Sequence, residues 1–269
     1  MTPLIAIFVV LFGLAFGSFL NVCIFRLPRH ASLMHPPSHC PHCDASIRAY
    51  DNIPLLSWIV LRARCRACSS PISARYPLVE AATAGLFVAC WLRFGLNVQG
   101  IGMMSFCFLA FGLAMMDWET MLLSDAFTLP GIFLGLLYAG LEFRLGLGRG
   151  FWAGMLLALA CGAAAFGLIL MIRGVYWLVR RREGMGLGDA KLLAMIAVWL
   201  GLGPTLVTLF LGVIAAALYG VGLLLIHRNS QTGEPDPLRL PFGSFLCAGA
   251  LYAVFWGETT FNWYLRFFR

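Results

Sequence analysis

At residues 184–191 the chain reads GMGLGDAK, and strongly apolar segments lie on both sides of this motif. Gly186 and Gly188 allow backbone angles that other residues avoid, and they let a second chain approach closely. Asp189 places a carboxylate at the mouth of an apolar helix; an acid costs roughly 2.5–3.5 kcal/mol at a bilayer centre and is usually functional there. The other interpretation is a solvated turn in which Asp189 caps the helix that follows. These residues alone leave both interpretations open.

The composition indicates a membrane protein. Of the 269 residues, 61% are hydrophobic and 12% are charged, and the mean hydropathy is +0.85. About 25% of the residues of a soluble domain are charged, so the composition predicts a polytopic membrane protein. The first apolar run is longer than a signal-peptide core and has no basic residue before it, which predicts a retained span.

The apolar runs predict an all-α fold with about eight transmembrane helices. The polar segment after the first run is the only one long enough for a small extramembrane domain. It divides the chain into a first transmembrane helix (1–25), a loop domain (26–75) and a membrane core with seven further helices (76–269). The predicted spans are residues 2–25, 76–94, 101–116, 126–141, 151–179, 190–202, 204–226 and 241–256.

The basic residues predict the orientation in the membrane. Most of the 19 Lys and Arg residues fall in loops that share one side if the N-terminus lies outside, and such loops are normally cytoplasmic. With eight spans the C-terminus also lies outside, and Asp117, Asp125, Asp189 and the loop 26–75 face the cytoplasm. The net charge of +7 therefore reports topology, since no basic helix or aromatic platform supports nucleic-acid binding.

Two C-x-x-C pairs in the loop predict a metal site. Cys40 and Cys43 form one pair, and Cys65 and Cys68 form the other. This spacing is typical of a four-thiolate zinc site, because each two-residue spacer turns both sulfurs toward one point. Four thiolates fill a tetrahedral shell, so the zinc would be structural and would fold a loop with little apolar core. A redox pair is the alternative, although disulfides are disfavoured in a reducing cytoplasm.

Three acids lie at predicted span boundaries on the cytoplasmic side. Asp117 ends the third span, Asp125 begins the fourth, and Asp189 begins the sixth. Two carboxylates that meet at a membrane surface suit an aspartyl hydrolase, because close like charges keep one acid protonated while the other stays ionised. The ionised acid takes a proton from the attacking water, and the protonated acid polarises the amide carbonyl.

Two other interpretations of these acids stay open at this point. The acids can be membrane-surface caps, above all Glu119 and Asp125, or they can form the proton pathway of a transporter. Transport acids tend to lie in mid-span, whereas these lie at one face, and a zinc loop is not an obvious transporter part. No G-x-S-x-G, H-E-x-x-H or P-loop motif occurs in the sequence.

Taken together, these motifs resemble those of the type IV prepilin peptidases, membrane aspartyl proteases with a G-x-G-D signature. The resemblance covers nearly the whole chain. Beside the two cysteine pairs and Asp117, the matching motifs are GSFLNV (17–22), RLP (26–28), NIP (52–54), RYPLVE (75–80), LLSD (122–125), GLGD (186–189) and PFG (241–243). Ser124 stands where the family usually has proline, and the stretch between Asp125 and Asp189 is longer than expected.

The resemblance implies an inner-membrane enzyme with two activities. The first is removal of the basic leader from type IV prepilins and type II secretion pseudopilins at the cytoplasmic face. The second is N-methylation of the new N-terminal residue with S-adenosylmethionine, and a peptidase-only member is the alternative. The implied catalytic pair is Asp117 and Asp189, with Asp125 in support and with Gly186 and Gly188 giving the substrate access. Both termini would be periplasmic.

Overall fold

The fold is that of a computed structural model, which describes residues 2–146, 148–181, 186–227 and 240–268. Within these ranges the chain forms helices and, apart from two isolated bridges, no β-structure, which confirms the all-α prediction. Residues 184 and 185 of the opening motif and residues 228–239 of a polar loop lie outside these ranges. The helices are α1 (Thr2–Arg26), α2 (Leu56–Val60), α3 (Arg75–Phe94), α4 (Val98–Thr120), α5 (Asp125–Leu145), α6 (Phe151–Arg180), α7 (Leu187–Leu200), α8 (Leu202–His227) and α9 (Phe242–Leu265), with 3₁₀ turns at Leu27–Arg29, Ala49–Asn52 and Arg266–Phe268.

Each predicted span overlaps one helix, and seven of these eight helices are long, whereas α7 is short. Six of the described helices, α1, α3, α4, α5, α6 and α8, are long and apolar enough to cross a membrane. Helix α7 has 14 residues and rises about 21 Å, less than the roughly 30 Å of a hydrocarbon core. Helix α9 continues to Leu265, beyond the predicted end at residue 256, because no proline follows to end it. The count of eight spans stays a prediction.

The chain divides into two compact units, Met1–Phe108 and Leu109–Arg269. In the first unit, α1 packs closely against α3. A β-carbon added at Gly13 would lie 2.6 Å from Cα of Ala84, and one added at Gly17 would lie 2.6 Å from Cα of Glu80. Small residues at these positions therefore allow the two backbones to approach, as is common between membrane helices.

The second unit is built around α7. All its side chains from Ala190 to Trp199 are buried except that of Lys191, which is half-buried, because α5, α6, α8 and α9 pack against this helix. Glycines on the neighbouring helices make room for its larger residues, and the indole N–H of Trp199 donates a hydrogen bond of 2.8 Å to the carbonyl of Gly131. A helix that is apolar on every side is stable when it is surrounded by protein, as here, or by lipid. The G-x-G-D motif thus opens the most enclosed helix of the unit.

Candidate active site and metal-binding loop

Asp189 lies in the first turn of α7. Gly186 is the N-cap residue of this helix, and its backbone N–H donates a hydrogen bond of 3.2 Å to Oδ2 of Asp189. An acid at this position that reaches back to the N-cap N–H satisfies one of the free donors at the start of a helix. The predicted capping role of Asp189 is confirmed. Among the described residues, no hydrogen-bond donor contacts Oδ1 of Asp189.

Asp117 lies in the last turn of α4 and is 5% exposed. Its Oδ2 accepts a hydrogen bond of 2.7 Å from the backbone N–H of Ser244, in the first turn of α9. The Ser244 hydroxyl lies 3.0 Å from the same oxygen and 2.8 Å from the carbonyl of Ala114, so it can donate to either. A carboxylate at a helix N-terminus is stabilised by the backbone N–H groups that point at it.

Gly243 lets α9 begin directly against Asp117. A β-carbon added at Gly243 would lie 3.1 Å from both Cγ and Oδ2 of Asp117 and 3.0 Å from Cδ2 of Leu123. These separations are tighter than ordinary van der Waals contacts. Glycine at this position is therefore favoured by a close approach and not by an unusual backbone angle.

The structure brings Asp117 and Asp189 together within the second unit. The two carboxylates lie near each other, and both lie near the buried thiol of Cys247. Leu123 lies beside both acids. A β-carbon added at Gly188, next to Asp189, would lie 3.4 Å from Cβ of Leu123, and one added at Gly243, next to Asp117, would lie 3.0 Å from its Cδ2. Two close, shielded carboxylates favour a state in which one acid is protonated and the other is ionised.

The four cysteines of the loop also come together. Their sulfur atoms all lie within 4.8 Å of one another, and those of Cys40 and Cys68 are 3.8 Å apart. Tetrahedral zinc with Zn–S bonds of about 2.3 Å requires sulfurs about 3.8 Å apart, so the cluster fits such an ion. Backbone N–H groups, chiefly that of His42, lower the pKa of the Cys40 thiol to about 6, which favours the thiolate that a metal binds.

The two cysteine pairs have the same backbone structure. In the first knuckle, residues 40–46, the N–H of Cys40 bonds the carbonyl of Ala45 at 2.9 Å. In the second knuckle, residues 65–71, the N–H of Cys65 donates a hydrogen bond of 2.8 Å to the carbonyl of Ser70. Each knuckle turns through a residue with positive φ at the equivalent position, Asp44 in the first and Ser69 in the second. Two like turns that face each other place four sulfurs around one point.

Comparisons with known proteins identify the family of the chain. Residues 11–94 match the bacterial peptidase A24 N-terminal domain, and residues 104–221 match the type IV leader peptidase family. A protein of Aeromonas hydrophila named prepilin leader peptidase/N-methyltransferase is 39% identical over 97% of this chain and 93% of its own length. The chain belongs to the type IV leader peptidase family. Proteins with the same name from Stutzerimonas stutzeri and Legionella pneumophila are 35% and 34% identical, each over 96% of this chain and 92% and 93% of their own lengths. No solved structure matches the chain.

The two matched regions of this leader peptidase family separate the two candidate sites. The N-terminal region, 11–94, contains all four cysteines of the metal cluster and lies in the first unit. The region 104–221 contains Asp117 and Asp189 and lies almost entirely in the second unit. The acids and the metal cluster therefore belong to different parts of the sequence, each of which recurs in relatives.

Asp125 has a different environment from the other two acids. It begins α5, its side chain is 56% exposed, and both of its oxygens lie 2.8 Å from Nζ of Lys191. Its charge is thus matched by a lysine on the helix that carries Asp189. This ion pair fits the supporting role predicted for Asp125, and that role stays a prediction.

Sequence reasoning missed the partners of the acids. Ser244 directly follows the motif PFG, but the motif does not indicate that Ser244 binds Asp117. Lys191 lies two residues after Asp189 and could have been recognised as the basic residue nearest the signature. Cys247 follows Ser244 by three residues and lies on the same face of α9, but no sequence pattern distinguishes it from the other apolar cysteines.

Proposed function

We propose that this protein is an aspartyl endopeptidase that removes the basic leader from prepilins and pseudopilins and then N-methylates the new N-terminus. The observation that carries the proposal is the convergence of Asp117 and Asp189 in one unit, each held by a backbone N–H at the start of a helix. The names of the relatives supply the substrate class and the second activity.

In the proposed reaction, the two acids share one proton and hold a water molecule. Asp117 is the base, because its Oδ2 lies against two donors of Ser244, the backbone N–H and the hydroxyl, and these stabilise a negative charge. Asp189 carries the proton and polarises the scissile carbonyl, because one N–H among the described residues, that of Gly186, donates to its Oδ2. Proton transfer of this kind needs no metal at the acids and contributes typically about 10²–10⁴-fold to a rate.

The glycines beside Asp189 would admit the substrate. Among the described residues, a β-carbon added at Gly188 would lie 3.4 Å from Leu123, and one added at Gly186 would lie 3.5 Å from Oδ2 of Asp189. An extended peptide would lie against this backbone, where neither glycine presents a side chain. The apolar helix of the substrate would remain in the bilayer while its scissile bond reaches the acids.

The metal that we propose for the loop is zinc, held by Cys40, Cys43, Cys65 and Cys68. All four ligand positions would be thiolates, so the ion would supply folding energy and no catalysis. S-adenosylmethionine is the proposed methyl donor, because the relatives are named N-methyltransferases. No described residue is assigned to it, and the described ranges contain no strand–helix nucleotide motif.

The proposed location is the bacterial inner membrane, with both termini periplasmic. The acids and the loop domain, 26–75, would face the cytoplasm, and residues 76–269 would form the peptidase core. This orientation follows from the basic residues of the loops. It places the acids where a basic leader, still on the cytoplasmic side, can reach them.

Mass spectrometry of a substrate tests both activities together. The full-length protein in proteoliposomes is incubated with a purified prepilin, with and without S-adenosylmethionine, and the mature N-terminus is analysed. We expect loss of the leader in both samples and one added methyl group only when the donor is present. Cleavage without methylation would select the peptidase-only alternative, whereas an uncut substrate would contradict the peptidase and favour a transporter. Asp189→Asn is the matched inactive control.

Metal analysis tests the zinc proposal separately. We expect about one zinc per chain in the purified protein, and we expect the zinc to be absent after Cys40→Ser together with Cys43→Ser. Cys161→Ser is the matched control, because this cysteine lies outside the cluster, in α6. Protein that holds no zinc but has disulfides between the four cysteines would favour the redox interpretation.

A further inference from the structure

The short helix α2 exposes apolar side chains in a segment that does not span the membrane. Leu56, Ile59 and Val60 are 59%, 65% and 68% exposed. They lie in the loop between α1 and α3, where the other side chains are largely polar. Exposed apolar side chains that cluster on one short helix usually mark an interaction surface.

Two hydrogen bonds place α2 beside the start of a membrane-crossing helix. The N–H of Leu55, directly before α2, donates a bond of 2.8 Å to Oε2 of Glu80. Glu80 is buried and is the sixth residue of α3, about 7.5 Å from its beginning. The indole N–H of Trp58 donates a bond of 3.1 Å to the carbonyl of Ile72, just before α3. Helix α2 therefore lies level with the first turns of α3 and does not project away from them.

Two arginines, Arg62 and Arg64, come directly after the apolar helix α2 in the chain. Helix α2 ends where Arg62 and Ala63 both take positive φ, and the N–H of Ala63 bonds the carbonyl of Trp58 at 2.8 Å. This reversal places Arg62 and Arg64 next to the apolar residues, and both are exposed. Arg66 is bound to Asp51 by a bidentate pair, which lowers the pKa of that carboxyl, so it contributes less net charge.

We propose that α2 and the two arginines, Arg62 and Arg64, form an anchor that binds the surface of an anionic bilayer. Leu56, Ile59 and Val60 would enter the boundary between headgroups and acyl chains, and the arginines would bind lipid phosphates. An apolar helix face with adjacent basic residues is the normal composition of such an interfacial segment. Charge complementarity and the depth set by Glu80 favour the bilayer over a protein partner. The anchor would hold the second knuckle at the membrane surface.

Hydrogen exchange measured by mass spectrometry tests the anchor on the full-length protein. The protein is compared in detergent, in nanodiscs of phosphatidylcholine, and in nanodiscs of equal parts phosphatidylcholine and phosphatidylglycerol. We expect amides of residues 56–66 to exchange about tenfold more slowly in the anionic discs than in detergent, with an intermediate rate in phosphatidylcholine. The first knuckle, residues 40–46, is the internal control and should not respond. Equal exchange in all three environments would overturn the proposal.

Variants separate the two parts of the anchor. Ile59→Ser with Val60→Ser should remove the protection in both kinds of disc, whereas Arg62→Gln with Arg64→Gln should remove only the gain from phosphatidylglycerol. Met34→Ser is the matched control, because Met34 is an exposed apolar residue elsewhere in the same loop. Protection that survives both double variants would contradict the anchor.

Photo-crosslinking identifies what covers α2. A benzophenone amino acid in place of Ile59 should form adducts with lipid when the full-length protein is irradiated in anionic nanodiscs. Adducts with residues 109–268 of the same chain, or with added prepilin, in place of lipid would overturn the proposal and assign the surface to a protein contact.

Discussion

Asp117 and Asp125 lie on either side of one short turn, yet their side chains differ in exposure to solvent and in their partners. Asp117 is 5% exposed and is held by the N-terminus of α9. The side chain of Asp125 is 56% exposed, and its charge is matched by Lys191. Asp125 is exposed to water and paired with a cation, whereas Asp117 is shielded from water and held by a backbone N–H. This difference supports the proposal that Asp117 is the partner of Asp189 and that Asp125 has a supporting role.

The largest expected effect comes from removing either member of the pair. Asp189→Asn keeps the size of the side chain and its position at the start of α7 but cannot exchange a proton. We expect cleavage to fall by about 10²–10⁴-fold or more, with normal membrane insertion. The double variant with Asp117→Asn should be no worse than either single variant, because residues that act as a unit are not additive. Initial rates on a purified prepilin measure this, and multiplicative losses would show that the acids act separately.

A smaller loss is expected when the contact between α9 and Asp117 is disturbed. In Gly243→Ala the new methyl group would lie 3.0–3.1 Å from Leu123 and the Asp117 carboxylate, so the acid must shift. We expect a loss of about tenfold or more in kcat, since small misplacements of a catalytic group are costly. Gly222→Ala is the control, because its methyl group would meet nothing within 4 Å. Equal rates for the two variants would mean that Asp117 does not depend on this contact.

Removal of the Ser244 hydroxyl should change the pH profile. Ser244→Ala keeps the backbone N–H but removes the second donor near Oδ2 of Asp117. A carboxylate with fewer donors is harder to ionise, so the acidic limb of the kcat/KM profile should move up by about one pH unit. Ser244→Thr, which keeps a hydroxyl, should restore the profile. An unchanged profile with a uniformly lower rate would indicate packing alone.

The smallest effect is expected at the exposed ion pair. Asp125→Asn and Lys191→Met each remove one partner of a solvent-exposed salt bridge, which is typically worth at most about 1 kcal/mol. We expect cleavage to change by no more than about threefold. The losses of the two single variants should not add in the double variant, because both remove the same interaction. A loss as large as that of Asp189→Asn would reverse the roles assigned to Asp117 and Asp125.

Much of this arrangement could be predicted from local sequence. The length of each apolar run predicted the long helices, and the spacing of Cys40, Cys43, Cys65 and Cys68 predicted their cluster, because both features depend on near neighbours. The position of Asp189 at the start of a helix followed from the glycines before it. Helix α2 was missed, since five residues are too few to show a helical period.

The partners of the acids could not be predicted from the sequence. Ser244 is 127 residues from Asp117, and Lys191 is 66 residues from Asp125. Which helix end meets which acid depends on how the helices pack, and neither composition nor periodicity contains that information. Composition and periodicity treat Asp117 and Asp125 alike, and it was the resemblance to the family that implied catalysis by Asp117.

The most direct test compares Asp117→Asn with Asp125→Asn in one experiment. Both variants of the full-length protein are reconstituted in the same lipid at equal amounts, and initial rates of leader removal from one prepilin are measured by mass spectrometry. We predict that the rate of leader removal falls by about 10²–10⁴-fold or more in Asp117→Asn and by no more than about threefold in Asp125→Asn. An active Asp117→Asn variant beside an inactive Asp125→Asn variant would contradict this prediction.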